Sequence, residues 1–165
     1  MAHRPREVTL RFLAGLGDMN IMGNVHGGAV MKWIDEAGYA CAAGWCGLPS
    51  VTVYVGGIRF YKPVPVGNLV EINAKLIYTG HTSMHIAVDV CSADPKAGQY
   101  TPTTHCIIVF VALDEHGRPT PVPAWEPESA NDIALQQYAR RIMELRKGIE
   151  EEMIGYGSNG APQTA

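Results

Sequence analysis

The chain has 165 residues, of which 47% are hydrophobic and 18% charged, and its formal net charge is −3. This length suits a single domain with one core, and the composition is that of an ordinary globular protein. A slightly acidic chain without a basic stripe argues against nucleic-acid binding. The longest apolar run, Cys106–Leu113, is too short for a membrane helix. We therefore expect neither a nucleic acid nor a membrane as a partner.

The four cysteines show no metal-binding pattern, because none of them forms a CxxC pair and because Cys41 and Cys46 are flanked by Ala, Gly and Trp rather than by other ligand types. The first residues lack the apolar segment of a signal peptide. We therefore expect a cytoplasmic location, where thiols stay reduced. The prediction for all four is that they are small core residues: Cys41, Cys46, Cys91 and Cys106.

The first part of the chain predicts a strand followed by a long helix. Apolar and polar residues alternate in Glu7–Leu13, which is typical of a strand. A glycine-containing connection follows, to about Val25. The segment His26–Trp45 lacks proline and is rich in Ala, Met, Trp and Ile, so it predicts a mostly buried helix.

The rest of the chain predicts a run of strands and a second helix. The predicted strands are Val51–Phe60, Leu69–Tyr78, Met84–Cys91 and Thr103–Leu113. Helical spacing returns in Glu128–Glu152. This order predicts an α+β fold, with an antiparallel sheet around the long apolar helix and a C-terminal helix. We expect one domain over residues 1–154 and a disordered tail over residues 155–165.

One face of the predicted buried helix is mostly small residues and carries a single carboxylate. Residues three or four positions apart lie on the same face of a helix. One such face contains Gly28, Met31, Asp35, Gly38 and Ala42. A lone buried aspartate is costly unless it is paired or functional. Asp35 is therefore either a functional carboxylate or a residue that points to solvent or to a neighbour.

Two shorter patterns precede this carboxylate. His26-Gly27-Gly28 stands at the predicted helix start, where free backbone N–H groups favour an anion or a developing oxyanion. Asp18 and Asn20 lie in a glycine-containing loop, where such residues often only form turns. Taken alone, each pattern also fits a purely structural role.

Taken together, these residues resemble the hotdog-fold acyl-CoA thioester hydrolases, in particular the cytosolic long-chain type. The segment Asp18–Gly38, DMNIMGNVHGGAVMKWIDEAG, carries the specific part of the similarity. Weaker similarity continues in Phe60–Val70 and Tyr78–Met84. The resemblance implies a hotdog fold and hydrolysis of acyl-CoA to a carboxylic acid and CoA, with no cofactor and no metal.

The resemblance also implies a site that two subunits share. Asn20 of one subunit would face Asp35 of a neighbour and orient water or the thioester. Asp35 would act as a general base or as a nucleophile, and the helix start, His26, Gly27 and Gly28, would hold the oxyanion. A homo-oligomer is therefore expected, with a dimer as the minimum and a hexamer as the favoured form.

Coenzyme A has several candidate contacts, none of them specific. Exposed backbone beside a strand is expected at Val55, Gly56 and Gly57. Cations for the phosphates are Arg59 and Lys62. A hairpin offers hydroxyls and N–H groups at Thr82, Ser83 and Met84. Each also fits an ordinary structural role, as a bulge, a turn or a solvated face.

Two other functions remain open on the same fold. A hotdog dehydratase or hydratase would use a histidine with a helix carboxylate, and His26 with Asp35 or Glu36 resembles such a pair. A non-catalytic sensor would bind acyl-CoA without turnover, but such domains lack the pair that Asn20 and Asp35 form here.

Overall fold

The computed structural model describes residues 4–159. Within this range, five strands form one antiparallel sheet in the order β1-β3-β4-β5-β2. The elements in chain order are β1 (Glu7–Leu13), α1 (Gly27–Cys46), β2 (Ser50–Phe60), β3 (Leu69–Thr79), β4 (Ser83–Ala93), β5 (Thr101–Ala112) and α2 (Ala130–Asn159). The predicted α+β class and the order of the elements are confirmed.

The core lies between α1 and one face of the sheet. Alternate residues of the strands, among them Ile72, Val88 and Ile108, are fully buried and pack in one cluster with Ile34 of α1. Since α1 contacts all five strands, the sheet must curve around the helix. This wrapping explains why α1 is so apolar.

Glycine permits the closest approach of the helix to the sheet. A Cβ atom at Gly38 would lie 2.8 Å from Phe110 and 2.9 Å from Ile108 of β5, closer than a side chain allows. The helix then ends at Gly47, whose φ of 72° is the left-handed conformation of a C-terminal cap. Gly38 therefore holds α1 against the middle of β5.

The sheet has two free edges, and the β2 edge is the more apolar. Its residues Val51, Val53 and Val55 are 42%, 48% and 42% exposed. An edge strand with exposed valines and unpaired backbone groups favours pairing with another strand. The other edge, β1, presents charged side chains at Glu7 and Arg11.

The cysteines are free thiols. Cys41, Cys46 and Cys106 are buried, as predicted, whereas Cys91 is only partly buried. Burial raises the pKa of Cys41 to about 12 and that of Cys106 to about 11. These thiols behave as small core residues.

The chain divides into two compact units, one up to Glu126 and one from Pro127. The second unit is the helix α2, whose start is capped by Ser129: its Oγ accepts a hydrogen bond from the N–H of Asp132 at 3.1 Å. The helix runs to Asn159. Helical structure thus covers residues 155–159, where we expected disorder, and the rest of the predicted tail lies outside the described residues. Neither described helix is long and apolar enough to cross a membrane.

Candidate active site

The loop before α1 is folded tightly onto the helix start. The N–H of His26 donates to the carbonyl of Asp18 at 2.7 Å, and the N–H of Asn20 donates to the carbonyl of Asn24 at 2.7 Å. The side-chain Oδ1 of Asn20 accepts from the N–H groups of Met22, at 2.9 Å, and of Asn24. Within residues 4–159 the Nδ2 group of Asn20 has no hydrogen-bond partner, so its two donors are free for a ligand.

Asp35 lies on the exposed side of α1. Of the alternatives that the sequence left open for this carboxylate, a single chain shows a side chain exposed to solvent, because the sheet covers only the opposite side of the helix. The helix face that the spacing assigns to Asp35 is not uniform in burial: Gly28 and Met31 are exposed, whereas Gly38 is buried. Asp35 thus lies on a part of the helix that a second chain must cover if the carboxylate is to be shielded from water.

The carboxylate has one side-chain partner, which sequence reasoning missed. The hydroxyl of Thr52 in β2 donates a hydrogen bond to Oδ1 of Asp35 at 2.5 Å. Thr52 alternates with Val51 and Val53 and therefore points to the helix side of the sheet while the valines point away. In the sequence, the sign of this contact is a hydroxyl-bearing residue between two valines. The position alone did not reveal which helix residue it meets.

At the start of α1, one of the two expected N–H groups is free. His26 is the N-cap, and its Nδ1 accepts a long hydrogen bond of 3.4 Å from the N–H of Gly28. The N–H of Gly27 has no partner within the described range. Of the two N–H groups predicted to hold an oxyanion, that of Gly27 is the one available.

Within one chain the candidate residues fall into two groups along α1. Asn20 and Gly27 lie at the helix start, and Asp35 follows Gly27 by eight residues. Eight residues of α-helix rise about 12 Å. In the described residues no hydrogen bond joins Asn20 to Asp35. The first half-site consists of Asn20 and the Gly27 N–H, and the second of Asp35 and Thr52.

A pocket of about 300 Å³ adjoins the first half-site. It is lined by the start of α1, the end of β2 and the segment that follows: Val25, Gly27, Val30, Phe60, Tyr61, Lys62, Pro63, Val64 and Thr104. Its walls are mainly apolar, which suits a hydrocarbon chain better than a phosphate.

The candidate CoA contacts fall into two groups, one that runs from the middle of β2 past its end and one at the hairpin before β4. Arg59 pairs with His105 of β5, whereas Ser83 pairs with Val111 of the same strand. Six residues of strand separate these positions by about 20 Å. The structure therefore does not bring the two groups together in one chain.

At the β2 end, the strand bulges after Gly56, and Gly57 has a φ of 61°. The ring of Tyr54 occupies the space beside Gly56, where a Cβ atom would lie 2.2 Å from it. Val55 and Lys62 are exposed, and the guanidinium of Arg59 lies 5.1 Å from the ring centroid of Tyr61.

At the hairpin end, Met84 is fully buried in the core. Its side chain therefore offers CoA no contact, and the expected contact through the backbone at this residue stays a prediction. Ser83 lies partly exposed, with its hydroxyl 3.4 Å from Nε2 of His85. Thr82 is also partly exposed, and its carbonyl accepts from the N–H of Ala112.

Comparison with known proteins identifies the family. Residues 22–99 match the thioesterase superfamily. The acyl-CoA thioester hydrolase YciA of Salmonella typhimurium is 35% identical over 120 residues, which cover 71% of this chain and 90% of that protein. This chain belongs to the thioesterase superfamily. The narrower cytosolic long-chain type has weak support: the rat cytosolic acyl coenzyme A thioester hydrolase is 32% identical, but the chain spans only 33% of it.

Solved structures of thioesterases share the fold. A hexameric acyl-CoA thioesterase without ligand superposes with a TM-score of 0.83 at 31% identity, covering 88% of this chain and 93% of that one. The acyl-CoA hydrolase of Staphylococcus aureus, solved with butyryl-CoA and CoA, has a TM-score of 0.83 at 25% identity and covers 93% and 96%. Alanine variants of that thioesterase replace one aspartate, one asparagine and one threonine.

Proposed function

We propose that this thioesterase-superfamily chain hydrolyses acyl-CoA thioesters to a carboxylic acid and CoA, with Asp35 as the reacting carboxylate. The observation that carries the proposal is the hydrogen bond from Thr52 to Asp35, which holds an exposed carboxylate in one orientation. A carboxylate held in one orientation on a mostly apolar helix is suited to general-base or nucleophilic chemistry.

The spacing of three residues supports this assignment. In the S. aureus hydrolase, the substituted asparagine, aspartate and threonine are separated by 15 and 17 positions. The same intervals separate Asn20, Asp35 and Thr52 in this chain. We therefore assign these three residues to one site.

The reaction requires few catalytic groups, because a thioester carbonyl is reactive and a thiolate is a good leaving group. As a base, Asp35 takes a proton from water while the water oxygen bonds to the carbonyl carbon. The C–S bond then breaks, and the CoA thiolate receives the proton. As a nucleophile, Asp35 would first form an anhydride with loss of CoA, and water would then hydrolyse it. Both routes give the same products.

The first half-site supplies the groups that orient the substrate. The free N–H of Gly27 holds the carbonyl oxygen as it becomes negative, aided by the positive end of the helix dipole. The free Nδ2 donors of Asn20 orient the water or the thioester. His26 contributes by capping the helix start, since its Nδ1 accepts a hydrogen bond from the Gly28 N–H.

The two half-sites require a second copy of the chain. A two-fold axis that pairs the β2 edges would set the helix start of one subunit beside Asp35 of the other. The exposed valines of β2 would then be buried in the interface. We propose this dimer as the minimum unit and a hexamer of three such dimers, as in the hexameric thioesterase above, as the full assembly.

We place the CoA arm at the hairpin of Thr82 and Ser83. Ser83 and Val51 both pair with Val111, which puts the hairpin close to Thr52 and hence to Asp35. Arg59 and Lys62, at the other end of β2, are the less favoured candidates for the phosphates. The reaction needs no metal and no cofactor, and the free cysteines suit a cytoplasmic enzyme.

A thiol-release assay over an acyl-CoA series from acetyl to palmitoyl tests the proposal. Release of free CoA from at least one member of the series is expected. Tight binding without release would instead favour a sensor. Hydration of an enoyl-CoA without release of thiol would favour a hydratase, and either result would overturn the proposal.

A further inference from the structure

The pocket beside Gly27 has a polar group in an apolar setting. Three of its lining residues are core valines: Val25, Val30 and Val64 are 7%, 3% and 2% exposed. Its volume of about 300 Å³ is at the small end of the range for ligand sites. These features suit a short hydrocarbon chain.

Besides Tyr61 and Lys62, whose side chains are exposed, the pocket is lined by the buried hydroxyl of Thr104. This residue is 2% exposed, and its Oγ1 has no hydrogen-bond partner within residues 4–159. Thr104 lies opposite Val90 on one side and Phe60 on the other, and it alternates with Cys106 on the sheet face that packs against α1. Its side chain is therefore directed to the region between the sheet and the helix start, where the pocket lies.

An unpaired hydroxyl in this position needs an explanation. Nearly all buried side-chain hydroxyls in folded proteins form a hydrogen bond, because leaving one unpaired costs free energy. The neighbouring Thr103 follows this rule, since its Oγ1 donates to the carbonyl of Val90 at 3.0 Å. The partner of Thr104 is therefore to be sought in the pocket.

We infer that this pocket binds the acyl chain and that Thr104 forms a hydrogen bond to a hydroxyl or oxo oxygen on it, so that short oxygen-bearing acyl groups are preferred substrates. The inference rests on the proposed function, which places the thioester carbonyl at the N–H of Gly27, on the wall of the same pocket. The CoA arm must lead out to solvent, whereas the acyl chain ends inside the protein. Thr104, at the buried end, therefore meets the acyl chain.

The test compares substrates that differ by one oxygen atom. The kcat/KM values of the wild-type protein for 3-hydroxybutyryl-CoA and 4-hydroxybutyryl-CoA are divided by that for butyryl-CoA. For at least one of the two, Thr104→Val lowers this ratio about tenfold, because valine has the same shape but forms no hydrogen bond. Folding is not at risk, since the substitution removes a buried hydroxyl that has no partner.

The matched control is Thr103→Val, on the opposite face of the same strand, for which the ratio stays at the wild-type value. An equal fall of kcat/KM for all three substrates in Thr104→Val would overturn the inference, because Thr104 would then contact the CoA arm. Unchanged kcat/KM values for all three substrates would also overturn it and would indicate that the hydroxyl binds only water. In either case thiol release from butyryl-CoA by the wild type would leave the proposed function intact, and absence of release from every substrate would remove both.

Discussion

The hydroxyl of Thr52 donates a hydrogen bond to the carboxylate of Asp35 at 2.5 Å and so connects the edge strand β2 to the exposed side of α1. The valines that flank Thr52 point to the other side of the sheet. One strand therefore fixes the carboxylate and also presents the apolar edge at which we expect a second copy to pair. The reactive group and the subunit contact depend on the same eleven residues, Ser50–Phe60.

Replacing Thr52 by valine tests the positioning role. Thr52→Val is expected to lower kcat about tenfold or more, because a hydrogen bond to a charged group is among the stronger ones. KM should change little, since Thr52 acts through Asp35. Steady-state thiol-release kinetics measure both. Thr52→Ser keeps the hydroxyl and should retain most of the activity. Full activity in Thr52→Val together with a loss in Thr52→Ser would show that the threonine methyl group, and not the hydroxyl, matters.

Substitution of Asp35 should lower activity far more than substitution of Thr52. Asp35→Asn keeps the shape but removes the base or nucleophile, and kcat should fall by about 10² to 10⁴. Glu36 is the matched control: it is the next residue, is exposed and forms only a 3.8 Å ion pair with Lys32. Glu36→Gln should therefore behave as wild type. If Asp35→Asn kept full activity, the assignment of the reacting carboxylate would be wrong.

The two half-sites predict complementation between inactive variants. Asn20→Ala and Asp35→Asn should each be nearly inactive alone. When the two are unfolded, mixed in equal amounts and refolded, random pairing in dimers should restore about a quarter of the wild-type activity, because mixed dimers contain one intact site. Each variant refolded alone serves as the control. Mixtures no more active than the separate variants would mean that Asn20 and Asp35 act within one chain.

Local sequence patterns were sufficient for the fold, because alternation and helical spacing report directly which side of each element is buried. The strand Glu7–Leu13 was predicted with its exact bounds. The sequence did not decide between a buried and an exposed Asp35, because helical spacing groups residues on a face but does not say whether the sheet covers that face. Thr52 and Thr104 were missed for a related reason: their partners lie 17 residues away or in a pocket, and the sequence shows no such long-range contact.

The β2 edge should control assembly. Val53→Lys places a charge at an edge position that is 48% exposed, and burying that charge between two strands would be costly. We expect this variant to be monomeric by light scattering. It should also be inactive, because a monomer lacks the half-site that the second subunit would contribute. Thr9→Lys puts the same charge on the exposed edge strand β1 and should leave the oligomer intact. Dissociation by Thr9→Lys alone would place the interface at β1.

The buried thiols should make the protein less stable at alkaline pH. Burial raises the pKa of Cys106 from 9.0 to about 11. Above pH 9 the unfolded chain loses this proton while the folded chain keeps it, so the free energy of unfolding decreases as pH rises toward 11. Below pH 9 both states are protonated and the effect vanishes.

Urea unfolding at pH 8 and at pH 10.5 measures this loss, and Cys106→Ala separates it from the titration of tyrosines and lysines. Between the two pH values, the free energy of unfolding of the wild type should fall by about 2 kcal/mol more than that of the variant, since one pKa unit corresponds to about 1.4 kcal/mol. The cavity left by alanine lowers stability equally at both pH values and cancels in this comparison. Equal losses in the two proteins would show that the thiol of Cys106 ionises as readily in the folded chain as in the unfolded one.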